Sequence, residues 1–165
     1  MHWLGLCLRE LSVYTTDMEI NGVAHVMLTV RSVAQSRAFY VALLEHLGLR
    51  RVVDNAEYLY YVGGRTAVGL RPAAAEHASH RFDQGRVGLH HVCFRARGRE
   101  DVDSVFALAQ RLGATIVHGP QEDAWVPGYY SVLFEDPDGI RLEVNHVPGK
   151  GVFDPGVERK AELGP

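Results

Sequence analysis

Two short apolar runs each carry a histidine at the same place: Gly22-Val-Ala-His25-Val-Met-Leu-Thr-Val30 and Gly88-Leu-His-His91-Val-Cys-Phe-Arg-Ala96, with His25 and His91 66 positions apart. A carboxylate, Glu143, sits in a third such run, Ile140-Arg-Leu-Glu143-Val-Asn-His146. Two imidazoles and one carboxylate are a ligand set for a divalent cation that leaves coordination positions open. It suits Fe(II), with Mn(II), Zn(II) and Ni(II) as alternatives. The competing reading makes both histidines ordinary strand residues. It must still account for Glu143, because a carboxylate on an apolar-flanked strand is costly to bury without a partner.

In a strand, successive side chains point to opposite faces. His25, Met27 and Thr29 therefore share one face, opposite Ala24, Val26, Leu28 and Val30. His91, Cys93 and Arg95 share the matching face, opposite His90, Val92, Phe94 and Ala96. Arg141, Glu143 and Asn145 oppose Ile140, Leu142 and Val144. The faces with His25, His91 and Glu143 become one site if a strongly curved sheet brings them around a cavity. His90 then falls on the other side, packed or hydrogen-bonded.

Each histidine run is followed by an amphipathic stretch. The first starts at Ser32, with Gln35 as its capping-box partner, presents Ala34, Ala38, Leu43, Leu44 and Leu47, and stops at Gly48. The second has Glu100, Asp101 and Asp103 in its first turns, presents Val102, Val105, Phe106, Ala109 and Leu112, and stops at Gly113. Three β-like runs follow each helix: 49–53, 58–62 and 65–71, then 115–118, 129–135 and 140–146. The last pair is joined by Gly63-Gly64 in the first half and by Asp136-Pro137-Asp138-Gly139 in the second. The pattern is βαβββ written twice, as modules 20–72 and 87–148 linked by a polar stretch at 73–86. The fold class is α+β: two modules forming a cupped mixed sheet around a cavity, helices on the outer face.

Further residues have a place in such a site. The stretch from Gln121 to Tyr130 reads as a loop over the cavity mouth, where Trp125, Tyr129 and Tyr130 grip a planar substrate or pack on their own domain. Arg95 and Arg141 share faces with the ligand candidates and either receive an anionic substrate group or pair with Glu57 or Glu135. Glu76-His77-Ala-Ser-His80 has ligand-like spacing but lies in the polar link. His118 is either beside the site or exposed, and Cys93 reads as a small buried packing residue.

The remainder of the 165-residue chain excludes several classes of function. A net charge of −3 offers no basic field for nucleic acid, and two cysteines are too few for a disulfide scaffold. No segment has the ~20 apolar residues that span a bilayer. Residues 1–17 read as an N-terminal extension that makes a poor signal peptide, 18–148 as the domain and 149–165 as a polar tail. The expected location is cytoplasmic.

With the Phe39-Tyr40 and Leu47-Gly48 pairs of the first helix and the run Phe134-Glu-Asp-Pro-Asp-Gly-Ile-Arg-Leu-Glu143, the paired histidine strands make the chain resemble the vicinal oxygen chelate superfamily, the glyoxalase, bleomycin-resistance and extradiol dioxygenase group, over residues 20–148. The resemblance implies a homodimer and His25, His91 and Glu143 as metal ligands, with Glu143 a proton acceptor only when it leaves the metal. It also implies an enzyme acting on a small molecule whose adjacent oxygens chelate the metal. Four-ligand branches of the family carry a further, acidic ligand where this chain has Gly69. Fosfomycin-modifying transferases carry a tyrosine where it has Leu133. Extradiol dioxygenases use an additional histidine base and a tyrosine, for which His118, Tyr129 and Tyr130 are the candidates. The alternative within the family is a non-catalytic drug- or metabolite-binding protein.

Overall fold

The computed structural model describes residue 20 and residues 22–149. Residues 1–19, 21 and 150–165, Cys7 among them, lie outside the described residues, and with them the expected N-terminal extension and nearly all of the expected tail. The first module runs β1 (His25–Val30), α1 (Val33–His46), β2 (Arg50–Asp54), β3 (Leu59–Val62) and β4 (Ala67–Pro72). The second runs β5 (Val92–Arg95), α2 (Arg99–Arg111), β6 (Thr115–Glu122), β7 (Tyr130–Glu135) and β8 (Arg141–His146). The fold is α+β, with βαβββ repeated as the sequence implies. Among the described residues the strands form two four-stranded mixed sheets, ordered β1-β4-β3-β2 and β5-β8-β7-β6, and no closed barrel. In each, the first strand of the module lies at one edge, parallel to the last.

The helix ends follow from local chemistry. Ser32 accepts a hydrogen bond from the Gln35 backbone N–H and starts α1. Gly48 and Gly113 follow the two helices with φ of +78° and +71°, a conformation that ends a helix at little cost only for glycine. The buried side of α1 is Val33, Ser36, Phe39, Tyr40, Leu43 and Leu44. Ala34 and Ala38, expected on that side, are exposed. The larger side chains at 39 and 40 bury more apolar area and set the rotation of the helix.

One core joins the modules: Leu28, Val30, Phe39, Tyr40 and Leu70 pack in the same cluster as Val102, Val105, Val132, Phe134 and Leu142. The Asp136–Gly139 turn, which reads from sequence as a hairpin, also ties the halves together. Tyr40 donates to Asp136 Oδ2 at 2.7 Å, and Arg31 Nε donates to Asp138 Oδ1 at 2.6 Å. The link at 73–86 returns to the same turn, where the Phe82 N–H donates to the Asp138 carbonyl. Among the described residues no helix is long and apolar enough to cross a membrane.

Candidate metal centre

Strand register sets the site. β5 pairs with β8 so that Cys93 lies opposite Glu143, and β8 pairs with β7 so that Glu143 lies opposite Leu133. His91 stands just before β5, on the face of Cys93. Its Nε2 is 3.1 Å from Glu143 Oε2. The other carboxylate oxygen, Oε1, accepts a hydrogen bond from the Tyr129 hydroxyl at 2.6 Å. Glu143 is only 8% exposed, so these two contacts replace water around it. The second ring nitrogen of His91, Nδ1, lies 2.7 Å from His90 Nδ1, with one of the two carrying the shared proton. His90 is exposed and holds its neighbour's ring rather than packing beneath the sheet. That bond leaves His91 Nε2 as the nitrogen facing the carboxylate.

The surroundings raise two proton affinities. Burial, then the hydrogen bond to Glu143, pushes the Tyr129 hydroxyl above its ordinary value, so it stays a donor. Cys93 as a residue is exposed, not buried as its composition class suggests. Desolvation of its sulfur against the sheet, then the Glu143 carboxylate, pushes the thiol up to about 12 and keeps it protonated.

The first module supplies His25, which is exposed on β1. It is not brought to His91 and Glu143 within the chain: among the described residues no three His, Cys, Asp or Glu side chains group closely enough to hold a metal. Met27, two residues on, is 39% exposed on the same face. Gly69 pairs with Met27 on one side and Tyr60 on the other. A Cβ at Gly69 would run into the Met27 sulfur and lie 2.7 Å from Tyr60 Cδ2. A thioether and an aromatic ring therefore fill the place where an acidic ligand would project.

The remaining candidates separate by face. Arg141 shares the Glu143 side and pairs with Glu135 at 3.4 Å. Arg95, on the Cys93 side, donates to the Val147 carbonyl at 3.0 Å. Trp125 is about half exposed in the loop before β7. Tyr130 turns away from Tyr129 by strand alternation: its hydroxyl donates to Asp103 at 2.7 Å and the Arg99 guanidinium lies 3.9 Å from its ring centroid. It is thus placed against α2, not beside Glu143. The His118 ring nitrogen Nδ1 is 2.9 Å from its neighbour's carbonyl at Gly119. Two clefts adjoin β5, one of about 390 Å³ lined by His46, Phe94, Arg95 and Ser104 and one of about 420 Å³ lined by Arg95, Arg97 and His146. Neither includes His91 or Glu143.

His91 and Glu143 of the second module are two donors of the kind a divalent cation takes: an imidazole nitrogen and one carboxylate oxygen lie 3.1 Å apart, and each is oriented by a further hydrogen bond. Sequence reasoning missed the Tyr129–Glu143 contact and the His90–His91 contact, although Pro127-Gly128 already marked a tight turn delivering Tyr129.

Known proteins give the same fold. An uncharacterized Bacillus subtilis (strain 168) protein, YqjT, is 26% identical over 121 residues, covering 73% of this chain and 94% of its own. A glyoxalase candidate from Bacillus halodurans superposes with a TM-score of 0.66 at 26% identity, over 77% of this chain and 96% of the other. A glyoxylase/bleomycin resistance protein/dioxygenase domain from Frankia sp. EAN1pec gives 0.64 at 26% identity, over 78% and 98%. The model of the Glyoxalase/Bleomycin resistance protein/Dioxygenase superfamily matches residues 22–144. With its two βαβββ modules and that match across most of its length, the chain belongs to this superfamily.

Proposed function

We propose that this protein is a metal-dependent enzyme acting on a small molecule that presents two adjacent oxygens. The observation that carries the reading is the 3.1 Å approach of His91 Nε2 to Glu143 Oε2, a nitrogen and a carboxylate oxygen converging on a half-buried face. His91 and Glu143 would hold a divalent cation of the Fe(II), Mn(II), Zn(II) or Ni(II) class together with His25. When bound, the cation supplies Lewis-acid chelation of the substrate oxygens. Glu143 accepts a substrate proton when it is free of the metal. Arg95 and Arg141 flank the face with positive charge suited to an anionic substrate group, and Trp125 offers an aromatic surface at its rim. Protonated Cys93, opposite Glu143, is a small neutral group on the same face.

His25 joins the set from a second copy in this reading. Within one chain it is exposed, and it lies on β1, whose outer edge pairs with no other strand among the described residues. β5 is the matching edge strand of the second module. A homodimer that sets β1 of one copy beside β5 of the other brings all three ligands together and covers Met27. The proposed location is cytoplasmic, since two cysteines are too few for a disulfide framework.

A second reading, a metabolite- or drug-binding protein without turnover, is favoured by the apolar filling of the Gly69 position by Met27 and Tyr60. Turnover screening separates the two. The panel comprises catechols, thiol adducts of 2-oxoaldehydes and epoxide antibiotics, each with the metal found in the protein. The enzyme reading expects turnover of a panel compound that disappears in the His25→Ala/Glu143→Ala variant. Ligand binding that persists in that variant, with no turnover in the parent, supports the binding protein instead.

A further inference from the structure

We infer that Tyr129 is a positioning residue for Glu143: its hydroxyl occupies Oε1 and thereby presents Oε2 alone toward His91. The inference rests on the metal reading above and deepens it. Of the contacts on the two oxygens of Glu143, from His91 at 3.1 Å and Tyr129 at 2.6 Å, the shorter is the one from Tyr129, and the Cys93 thiol lies beside the same carboxylate. A hydroxyl so committed aims the carboxylate and favours one-oxygen ligation over two-oxygen chelation.

The loop that delivers Tyr129 is built to hold it still. Val126, Pro127, Gly128 and Tyr129 form a tight turn closed by the Tyr129 N–H donating to the Val126 carbonyl at 3.1 Å. Proline presets the first central position, and Gly128 takes φ +75° at the second, the combination a type II turn requires. A Cβ at Gly128 would lie 2.7 Å from the Pro148 ring, so the turn also packs directly on the chain leaving β8. The Tyr129 carbonyl then accepts from the Asp123 N–H at 3.0 Å, closing the loop at its base. Asp123 is itself fixed, accepting from the Ser131 hydroxyl and the Gln121 amide, each at 3.1 Å. Val126 is buried beneath the turn. Backbone hydrogen bonds thus close the turn on both sides of Tyr129, and its hydroxyl is committed to Glu143 Oε1.

The test is titration of the full-length protein with Co(II) alone, reading affinity by calorimetry and coordination by the visible d–d spectrum. Tyr129→Phe removes the hydroxyl and keeps the ring; Tyr130→Phe removes the neighbouring hydroxyl, which is bonded to Asp103 on α2 and not to Glu143. Tyr129→Phe is expected to weaken Co(II) binding about 10- to 100-fold and to alter the spectrum, with Tyr130→Phe unchanged in both. Against a variant that fails to fold, the parent protein labelled with m-fluorotyrosine gives an independent reading. Of its seven tyrosines, a ring beside Glu143 must show the largest Co(II)-induced ¹⁹F shift. Parent-like affinity and spectrum in Tyr129→Phe, or no strongly shifted tyrosine signal, overturns the role of Tyr129 while leaving the metal centre standing. A parent protein that takes up no Co(II) overturns the metal reading and this inference with it.

Discussion

The hydroxyl of Tyr40, on the helix of the first module, donates to Asp136 Oδ2, in the last hairpin of the second, across 2.7 Å of buried space. Tyr40 is 1% exposed, so the bond has no water to replace it. Tyr40→Phe leaves the carboxylate short of a donor and is expected to cost about 1–3 kcal/mol. At this chain length that lowers the melting temperature by roughly 2–4 °C per kcal/mol, measured by thermal unfolding.

Asp136 also makes stability depend on pH. Burial raises its carboxyl above the ordinary value despite the donors around it, from the Tyr40 hydroxyl and the Ile140 and Asp138 backbone N–H groups. The folded state therefore holds the proton more tightly than the unfolded state. This contribution is fully present below the unfolded value of about 4 and is lost as pH rises through the folded one. Asp136→Asn keeps the acceptor oxygen and removes the ionisation. Denaturant midpoints taken from about pH 4 upward are expected to lose that falling component in the variant.

The crowding at Gly69 gives a third expectation. Gly69→Glu pushes a side chain into Met27 and Tyr60, and overpacking of this kind costs about 1–3 kcal/mol. Metal affinity is not expected to rise, because the new carboxylate displaces side chains before it reaches the ligands. Met27→Ala in the same chain makes room and is expected to recover part of the loss in denaturant unfolding.

Cys93 is exposed but unreactive in this account. Its thiol sits near 12, so the thiolate is several thousandfold scarcer than in a free cysteine. The greater nucleophilicity of a more basic thiolate offsets only part of that. In a Cys7→Ser background without metal, alkylation by iodoacetamide at pH 8 is expected to run on the order of a hundredfold slower than for glutathione. Glu143→Gln, which removes the adjacent negative charge, is expected to speed it.

The repeat, the two helix stops and the alternation that sorts His91, Cys93 and Glu143 from Val92 and Phe94 are all legible in the sequence, because periodicity and turn chemistry are local. Contacts between distant segments are not. Asp136-Pro-Asp-Gly announces a hairpin, but only the packed core shows Tyr40 and Arg31 anchored on it. Tyr129 and Tyr130 look alike as neighbours in a loop, yet one residue of strand alternation sends the second to Arg99 and Asp103. The exposed rotation of Ala34 and Ala38 was hidden because alanine is small enough to fit either side of a helix.

The metal content of the protein, purified without chelator and measured by elemental analysis beside His25→Ala, His91→Ala and Glu143→Ala, tests the centre most directly. Close to one divalent cation per chain is expected in the parent, with near-complete loss in each variant, His25→Ala included. A parent free of metal that cannot be loaded, or a His91→Ala protein that keeps its cation, contradicts the proposed centre.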